Sequence, residues 1–169
     1  MKTMRDLVGS ADYRMIGLVT REMGLIVRRG NPARITNLKR LTEPSLHFIN
    51  RDPGSGSRVL FDQLLSQEKV PAVEVNGYEQ FEFTHSAVAA FVASGMADAA
   101  FGVEAAARQF DLDFVKLITE DYFFLCRREV LEMPAVKRII DIIKEDDFVN
   151  DILGLPGYAN NDIGVSRIR

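Results

Sequence analysis

Residues 46–65, LHFINRDPGSGSRVLFDQLL, read as a strand, a glycine-serine turn and a helix in direct succession. Leu46, Phe48 and Ile49 form a short apolar run, Pro53, Gly54 and Gly56 mark a turn, and Leu60, Phe61, Leu64 and Leu65 recur at helical spacing. A chain that passes from strand to helix in so few residues aims the first helical N–H groups at one point. Those groups have no intrahelical acceptor, and the helix dipole favours negative charge beside them. Two glycines remove two Cβ atoms and open the backbone to a ligand. Ser55 and Ser57 supply hydroxyls that either cap the helix or bind what sits above it.

Outward from this stretch, strands and helices alternate. Residues 15–19 and 24–28 read as two strands, the second closed by Gly30-Asn31-Pro32. A short helix over 35–41 precedes the strand at 46–49, and the helix over 57–66 leads to a strand at 80–83. Thr84 opens a helix through Ala93 that ends at Ser94-Gly95, followed by a strand at 99–103 and a short helix at 104–110. Two more strands, 114–118 and 122–127, come before a helix opened by Pro134, with Val136, Ile139, Ile140 and Ile143 at helical spacing. A last helix, 146–153, is expected to bury Phe148, Val149, Ile152 and Leu153, and the tail from Gly154 to be irregular. Strands separated by helices imply parallel β-α-β units and an α/β fold.

With 169 residues, 47% of them hydrophobic and 27% charged, the chain can bury one substantial core. Residues 1–58 carry 11 Lys/Arg and 5 Asp/Glu, net +6, whereas residues 59–169 carry 10 and 19, net −9. The glycine-serine turn thus lies in the basic part, which suits an anionic ligand. No basic and aromatic interleaving marks a nucleic-acid platform, so no direct nucleic-acid contact is expected. No apolar run is long enough to span a membrane, and the stretch MKTMRDLVGSADYR lacks the apolar core of a secretion signal, so the expected location is cytoplasmic. Cys126, the single cysteine, lies in the apolar run FFLC and reads as an inert thiol.

Thr84, His85 and Ser86 form a second polar helix start. In open α/β sheets ligands gather beyond the carboxyl ends of the strands, where such starts converge. Capping by Thr84, with His85 merely solvated, and ligand binding by His85 or Ser86 both fit this pattern. Glu104 follows the strand AAFGV, where it either lines a site or simply complements the dipole of its own helix.

Most catalytic patterns are missing. There is no P-loop, Val59 stands where a dinucleotide fingerprint has its third glycine, and the nucleophile-elbow pattern is absent. The two histidines, His47 and His85, have no Cys/His cluster around them, so no metal is expected, and His47 reads as structural. No cofactor is called for, and the chain reads as a binding module, not an enzyme. Two alternatives stand beside this. The run Arg51–Gly56 fits the R-x-x-G-x-G pyrophosphate loop of acyl-CoA-dependent N-acetyltransferases, and a structural fragment with a vestigial site fits as well.

The runs FINRDPGSGSRVLFDQLL and FTHSAVAAFVASGMADAAFGVEAAAR resemble the solute-binding-protein-like domain related to periplasmic molybdate-binding proteins. That domain occurs at the C-terminus of molybdopterin-biosynthesis-type proteins and of some helix-turn-helix regulators. GLVTREMGLIVRRGNPARITNLKRL is similar to the family's inter-lobe strands and the start of its second lobe, and GLPGYANNDIGV to its C-terminal end. The resemblance covers residues 15–165 and implies a type II periplasmic-binding-protein fold that binds a small anion, molybdate or tungstate being the candidates. By position it assigns Arg51, Ser55, Gly56, Ser57 and Arg58 to the first ligand loop and Thr84, His85 and Ser86 to the second helix start, with Glu104 and Tyr122 at the rim.

Only fourteen residues precede Met15, where the family has most of its first lobe. The resemblance therefore implies one domain over 1–169, with inter-lobe strands at 15–30, the second lobe at 31–120 and a return strand with C-terminal helices at 121–169. A half-site of this kind excludes water poorly and should bind weakly. The helices at 134–153 would lose their usual cover, which calls for a homodimer or for a partner that supplies the missing lobe. Molybdenum metabolism or transcriptional regulation is the implied setting.

Overall fold

Strand β1 (Tyr13–Val27) runs unbroken for 15 residues, where the sequence reads as two strands. Its polar middle, Thr20-Arg21-Glu22, resembles a turn but is satisfied across the sheet. Arg21 Nε lies 2.6 Å from Glu120 Oε2, and Glu22 Oε2 lies 2.7 Å from Lys116 Nζ. Thr119 adds a hydroxyl that donates to Glu22 Oε1 at 3.1 Å. These partners sit on β5 (Asp113–Arg127), which is likewise one 15-residue strand instead of the two expected.

The computed structural model describes residues 12–168; the first stretch, read above for a secretion signal, lies almost wholly outside the described residues. The chain divides into two compact units, cut between Arg21 and Glu22 and between Thr119 and Glu120.

In the unit over 22–119, the elements between the two long strands are β2 (Phe48–Arg51), α1 (Gly56–Gln67), β3 (Phe81–Glu82), α2 (His85–Ala93), β4 (Ala99–Val103) and α3 (Glu104–Gln109). The strand order is β3-β2-β4-β1-β5. β2 runs parallel to both β3 and β4, as β-α-β units require, but β4 pairs antiparallel with β1, Met23 opposite Val103 and Val27 opposite Ala99. The sheet is therefore mixed: the expected parallel β-α-β units are present, and β1 joins them antiparallel. The helix expected over 35–41 is a shorter 3₁₀ turn at Leu38–Thr42, which starts late because the Asn37 side chain caps it there by accepting from Arg40 N–H. The core centres on Phe48, Phe61 and Phe101, with the first two rings stacked at 4.8 Å and the last two tilted at 5.3 Å. β2 and β4 are buried along their whole length, which accounts for their continuous apolar reading.

The other unit holds the outer halves of β1 and β5, a 3₁₀ turn (Arg128–Glu132), α4 (Pro134–Ile142), α5 (Asp146–Leu153), β6 (Tyr158–Asn160) and β7 (Ser166–Ile168). The tail expected to be irregular thus contributes two short strands, both antiparallel to β1. Three residues amid glycines and asparagines carry too little periodicity to read as a strand. A smaller core gathers Ile16, Leu18, Val19 and Ile143, with Phe148, Ile152 and Leu153 of α5 half-buried against it. Cys126 packs there too, and burial pushes its thiol pKa up, away from reactivity. Among the described residues no helix is long and apolar enough to cross a membrane.

Candidate functional site

β2, β3 and β4 are parallel, and each is followed at its carboxyl end by the start of a helix. Two of these starts touch. Ser57, in the first turn of α1, places its hydroxyl 3.3 Å from Nε2 of His85, the first residue of α2. Ser57 is buried and His85 half-buried, so the contact is built into the unit.

The first loop closes on itself before it reaches Ser57. Asp52 Oδ2 accepts from Gly54 N–H at 3.0 Å, and the Asp52 carbonyl accepts from Ser55 N–H and from the Ser55 hydroxyl. Ser55 is the N-cap of α1, its Oγ accepting from Arg58 N–H at 3.2 Å. The next N–H groups, those of Gly56 and Ser57, belong to the helical first turn and have no acceptor within the helix. A Cβ at Gly56 would meet nothing within 4 Å. The backbone is open to approach there.

The second start is capped by Thr84, whose Oγ1 accepts from Ala87 N–H at 3.0 Å. Ser86 is exposed and donates to Gln109 Oε1 at 3.1 Å, linking α2 to the end of α3. His85 is seated by a residue that sequence reading passed over. A Cβ on Gly102 would come 3.1 Å from His85 Nδ1 and 2.8 Å from Ile26 Cδ1. The glycine in AAFGV makes the space that the ring fills, and a lone glycine inside an apolar strand was the available signal.

Both arginines of the loop are buried and held by the protein. Arg51 Nη2 donates to the Phe83 carbonyl at 2.9 Å, tying β2 to the segment that leads into α2. Arg58 donates through Nε to Asp62 Oδ1 at 3.2 Å and lies over the Tyr78 ring at 4.0 Å. Tyr78 hydroxyl also donates to Asp62, at 2.7 Å. Asn50, fully buried, accepts from Arg51 N–H and donates to the Tyr78 carbonyl. These contacts hold both guanidinium groups among β2, α1 and the segment before α2, with Asp62 balancing Arg58, while the first-turn N–H groups and hydroxyls supply neutral donors. His47 is structural, bridging to Gln80 Oε1 at 2.9 Å.

Glu104, at the start of α3, pairs with Arg108 at 2.8 Å along its own helix. Tyr122 belongs to the other unit, where its ring lies 4.6 Å from the Arg21 guanidinium carbon. Among the described residues no group of three His, Cys, Asp or Glu side chains is placed to hold a metal.

Sequence comparison matches residues 1–144 to the model of the PBP superfamily domain. The chain belongs to that family. It is 35% identical over 161 residues to the uncharacterised protein YvgK of Bacillus subtilis, covering 95% of this chain and 52% of that one, so the chain spans about half the length of this relative. An uncharacterised Clostridium pasteurianum protein encoded beside a 2Fe-2S ferredoxin gene is 33% identical over 107 residues, 63% of this chain and 95% of its own.

Solved structures share the PBP fold at lower identity. A Clostridium perfringens protein described as a phosphate ABC transporter substrate-binding protein, with bound phosphate, matches 95% of this chain and 76% of its own at a TM-score of 0.64 and 15% identity. A Clostridium difficile domain described as the substrate-binding domain of a molybdenum ABC transporter matches 87% of this chain and 66% of its own at 0.58 and 18%. These likenesses agree with the type II periplasmic-binding-protein fold implied by the motif series.

Proposed function

We propose that the unit over 22–119 binds a small tetrahedral oxyanion between the starts of α1 and α2, and that it senses or delivers this ligand without transforming it. One observation carries the reading: the Ser57 hydroxyl and His85 Nε2 meet at 3.3 Å, so the two helix starts converge on one place. Each start supplies N–H groups that have no helical acceptor and the positive end of a dipole. Two such starts reinforce each other.

The donor set suits an anion held by neutral groups. Gly56 and Ser57 N–H, the Ser57 hydroxyl and His85 form the contact shell, with the buried Arg51 and Arg58 setting a positive background. Fold neighbours described as phosphate and molybdenum transport proteins support an oxyanion as the ligand class. Molybdate and tungstate remain the favoured members on the motif resemblance, which also favours a role in molybdenum metabolism or transcriptional regulation. The acyl-CoA alternative rests on the R-x-x-G-x-G match alone, and nothing further in the geometry supports it.

The test is isothermal titration with molybdate, tungstate, phosphate and sulfate, on the native chain and on Ser57→Ala. Saturable binding of at least one oxyanion, weakened in the variant, is the expected result. Equal affinity in both proteins would remove the α1 start from the site.

A further inference from the structure

Ser57 and His85 meet through two groups that each donate or accept. The Ser57 hydroxyl oxygen lies 3.3 Å from His85 Nε2, and the hydrogen between them comes from either partner. The ring is seated for this contact. Its other nitrogen, Nδ1, stands 3.1 Å from where a Cβ on Gly102 would be, and Ile26 packs over the same glycine.

A neutral imidazole has one hydrogen for its two nitrogens. With that hydrogen on Nδ1, the Nε2 lone pair draws in the Ser57 hydroxyl and turns negative density toward an arriving anion. With it on Nε2, the ring donates once and without charge. Protonation removes the choice: Nε2 then always donates, the Ser57 hydroxyl is released toward the anion, and a full positive charge stands where the two helix starts meet. Two helix N-termini disfavour that charge while no anion is near, and an anion reverses the balance. Proton and oxyanion therefore favour each other at this one place.

The charged groups on the elements packed against His85 are few. β4 carries none, and Ile26 on β1 is apolar. Arg51 on β2 donates to the Phe83 carbonyl, with Glu82 of β3 opposite it in the strand ladder. On α1, Arg58 pairs with Asp62, and on α3, Glu104 pairs with Arg108. Of these side-chain types only histidine has an ordinary pKa, about 6.5, close to neutrality.

We propose that His85 couples oxyanion binding to a proton: the ring takes up a proton as the anion binds, so the site fills as pH falls and empties as pH rises. The inference rests on the oxyanion reading above and adds the condition under which the ligand is held. By linkage, the factor by which the proton raises anion affinity equals the factor by which the anion raises proton affinity.

Calorimetric titration with sulfate, molybdate and tungstate from pH 6 to 8.5 tests this, since none of the three gains a proton in that range at micromolar concentration. Each titration is run in two buffers of different ionisation enthalpy, which counts the protons taken up. The native chain should bind at least one of these anions about tenfold or more tightly at pH 6 than at pH 8.5, with proton uptake near neutrality. His85→Gln, whose amide does not titrate, should bind more weakly, with an affinity level across the range and no proton uptake. Ser57→Ala should bind more weakly yet keep the pH trend. Circular dichroism confirms that both variants fold. A native affinity level across the range, without proton uptake, would overturn the coupling and leave the oxyanion reading standing. A pH trend that persists in His85→Gln would overturn it too and move the proton to Glu82 or Glu104. Failure of all three anions to bind at any pH would overturn the coupling, and failure of phosphate as well would take the oxyanion reading with it.

Discussion

Gly102 and His85 form a fitted pair: the ring nitrogen Nδ1 occupies space 3.1 Å from where a Cβ on residue 102 would stand. The imidazole is thereby wedged over β4 with its other nitrogen turned to Ser57 at 3.3 Å. A backbone hydrogen in an apolar strand thus sets the position of a polar side chain at the start of α2.

Two glycine substitutions should separate stability from binding. Gly102→Ala introduces a methyl 2.8 Å from Ile26 Cδ1 and displaces His85, so it should cost about 1–3 kcal/mol and weaken anion binding. Gly56→Ala meets nothing within 4 Å and should leave stability level or raise it by a few tenths of a kcal/mol, while its methyl obstructs the open backbone. Urea denaturation and titration of both variants check this. The first should lose both properties and the second binding alone.

Ser57→Ala removes the hydroxyl that joins the two helix starts. A hydrogen bond of this kind, partly buried, contributes about 1 kcal/mol, so the variant should remain folded with a small loss of stability. Oxyanion affinity should fall at least tenfold, measured by calorimetry. Ser55→Ala should behave in the opposite sense. Ser55 caps α1, so its loss should cost about 1 kcal/mol of stability with a smaller effect on affinity.

The strand-turn-helix at residues 46–65 was legible because every signal in it is local. The turn residues, the cap at Ser55 and the helical spacing of Phe61, Leu64 and Leu65 lie within a few positions of one another. The same holds for Thr84 and α2. Long-range satisfaction was not legible. Arg21 and Glu22 look like a break until Glu120 and Lys116 on β5 meet them, about a hundred residues away. The antiparallel pairing of β4 with β1, and the strands β6 and β7, depend on the same non-local partnering. At the site, the sequence offered Ser57 and His85 as separate candidates. Their meeting rests on β2, β3 and β4 lying side by side, a fact of topology and not of spacing.

Arg58 should act through the fold. Its buried guanidinium holds Asp62 and stacks on Tyr78, so Arg58→Ala removes packing and leaves the other polar groups of the cluster poorly matched. A loss of about 2–3 kcal/mol is expected, read by urea denaturation.

Tyr78 makes this cluster sensitive to alkali. Burial, and then its hydrogen bond to Asp62, raise the phenol pKa above the usual value of 10.0. The folded state holds this proton more tightly than the unfolded chain, so the contribution is fully present below pH 10 and is lost as pH rises through the folded-state pKa. Stability measured from pH 8 to 12 should therefore fall less steeply for Tyr78→Phe than for the native chain in the alkaline part of the range.

The central claim is that converging helix starts hold an oxyanion, and ligand-dependent thermal unfolding tests it most directly. Molybdate, tungstate, phosphate and sulfate would be titrated against the native chain and Gly56→Ala in parallel. At a hundredfold excess over its dissociation constant, a bound anion adds about 2.7 kcal/mol to the folded state, a shift of several degrees. The account predicts such a shift for at least one tetrahedral oxyanion with the native chain and a reduced one with Gly56→Ala. Melting points unmoved by all four anions, or moved equally in both proteins, would contradict it.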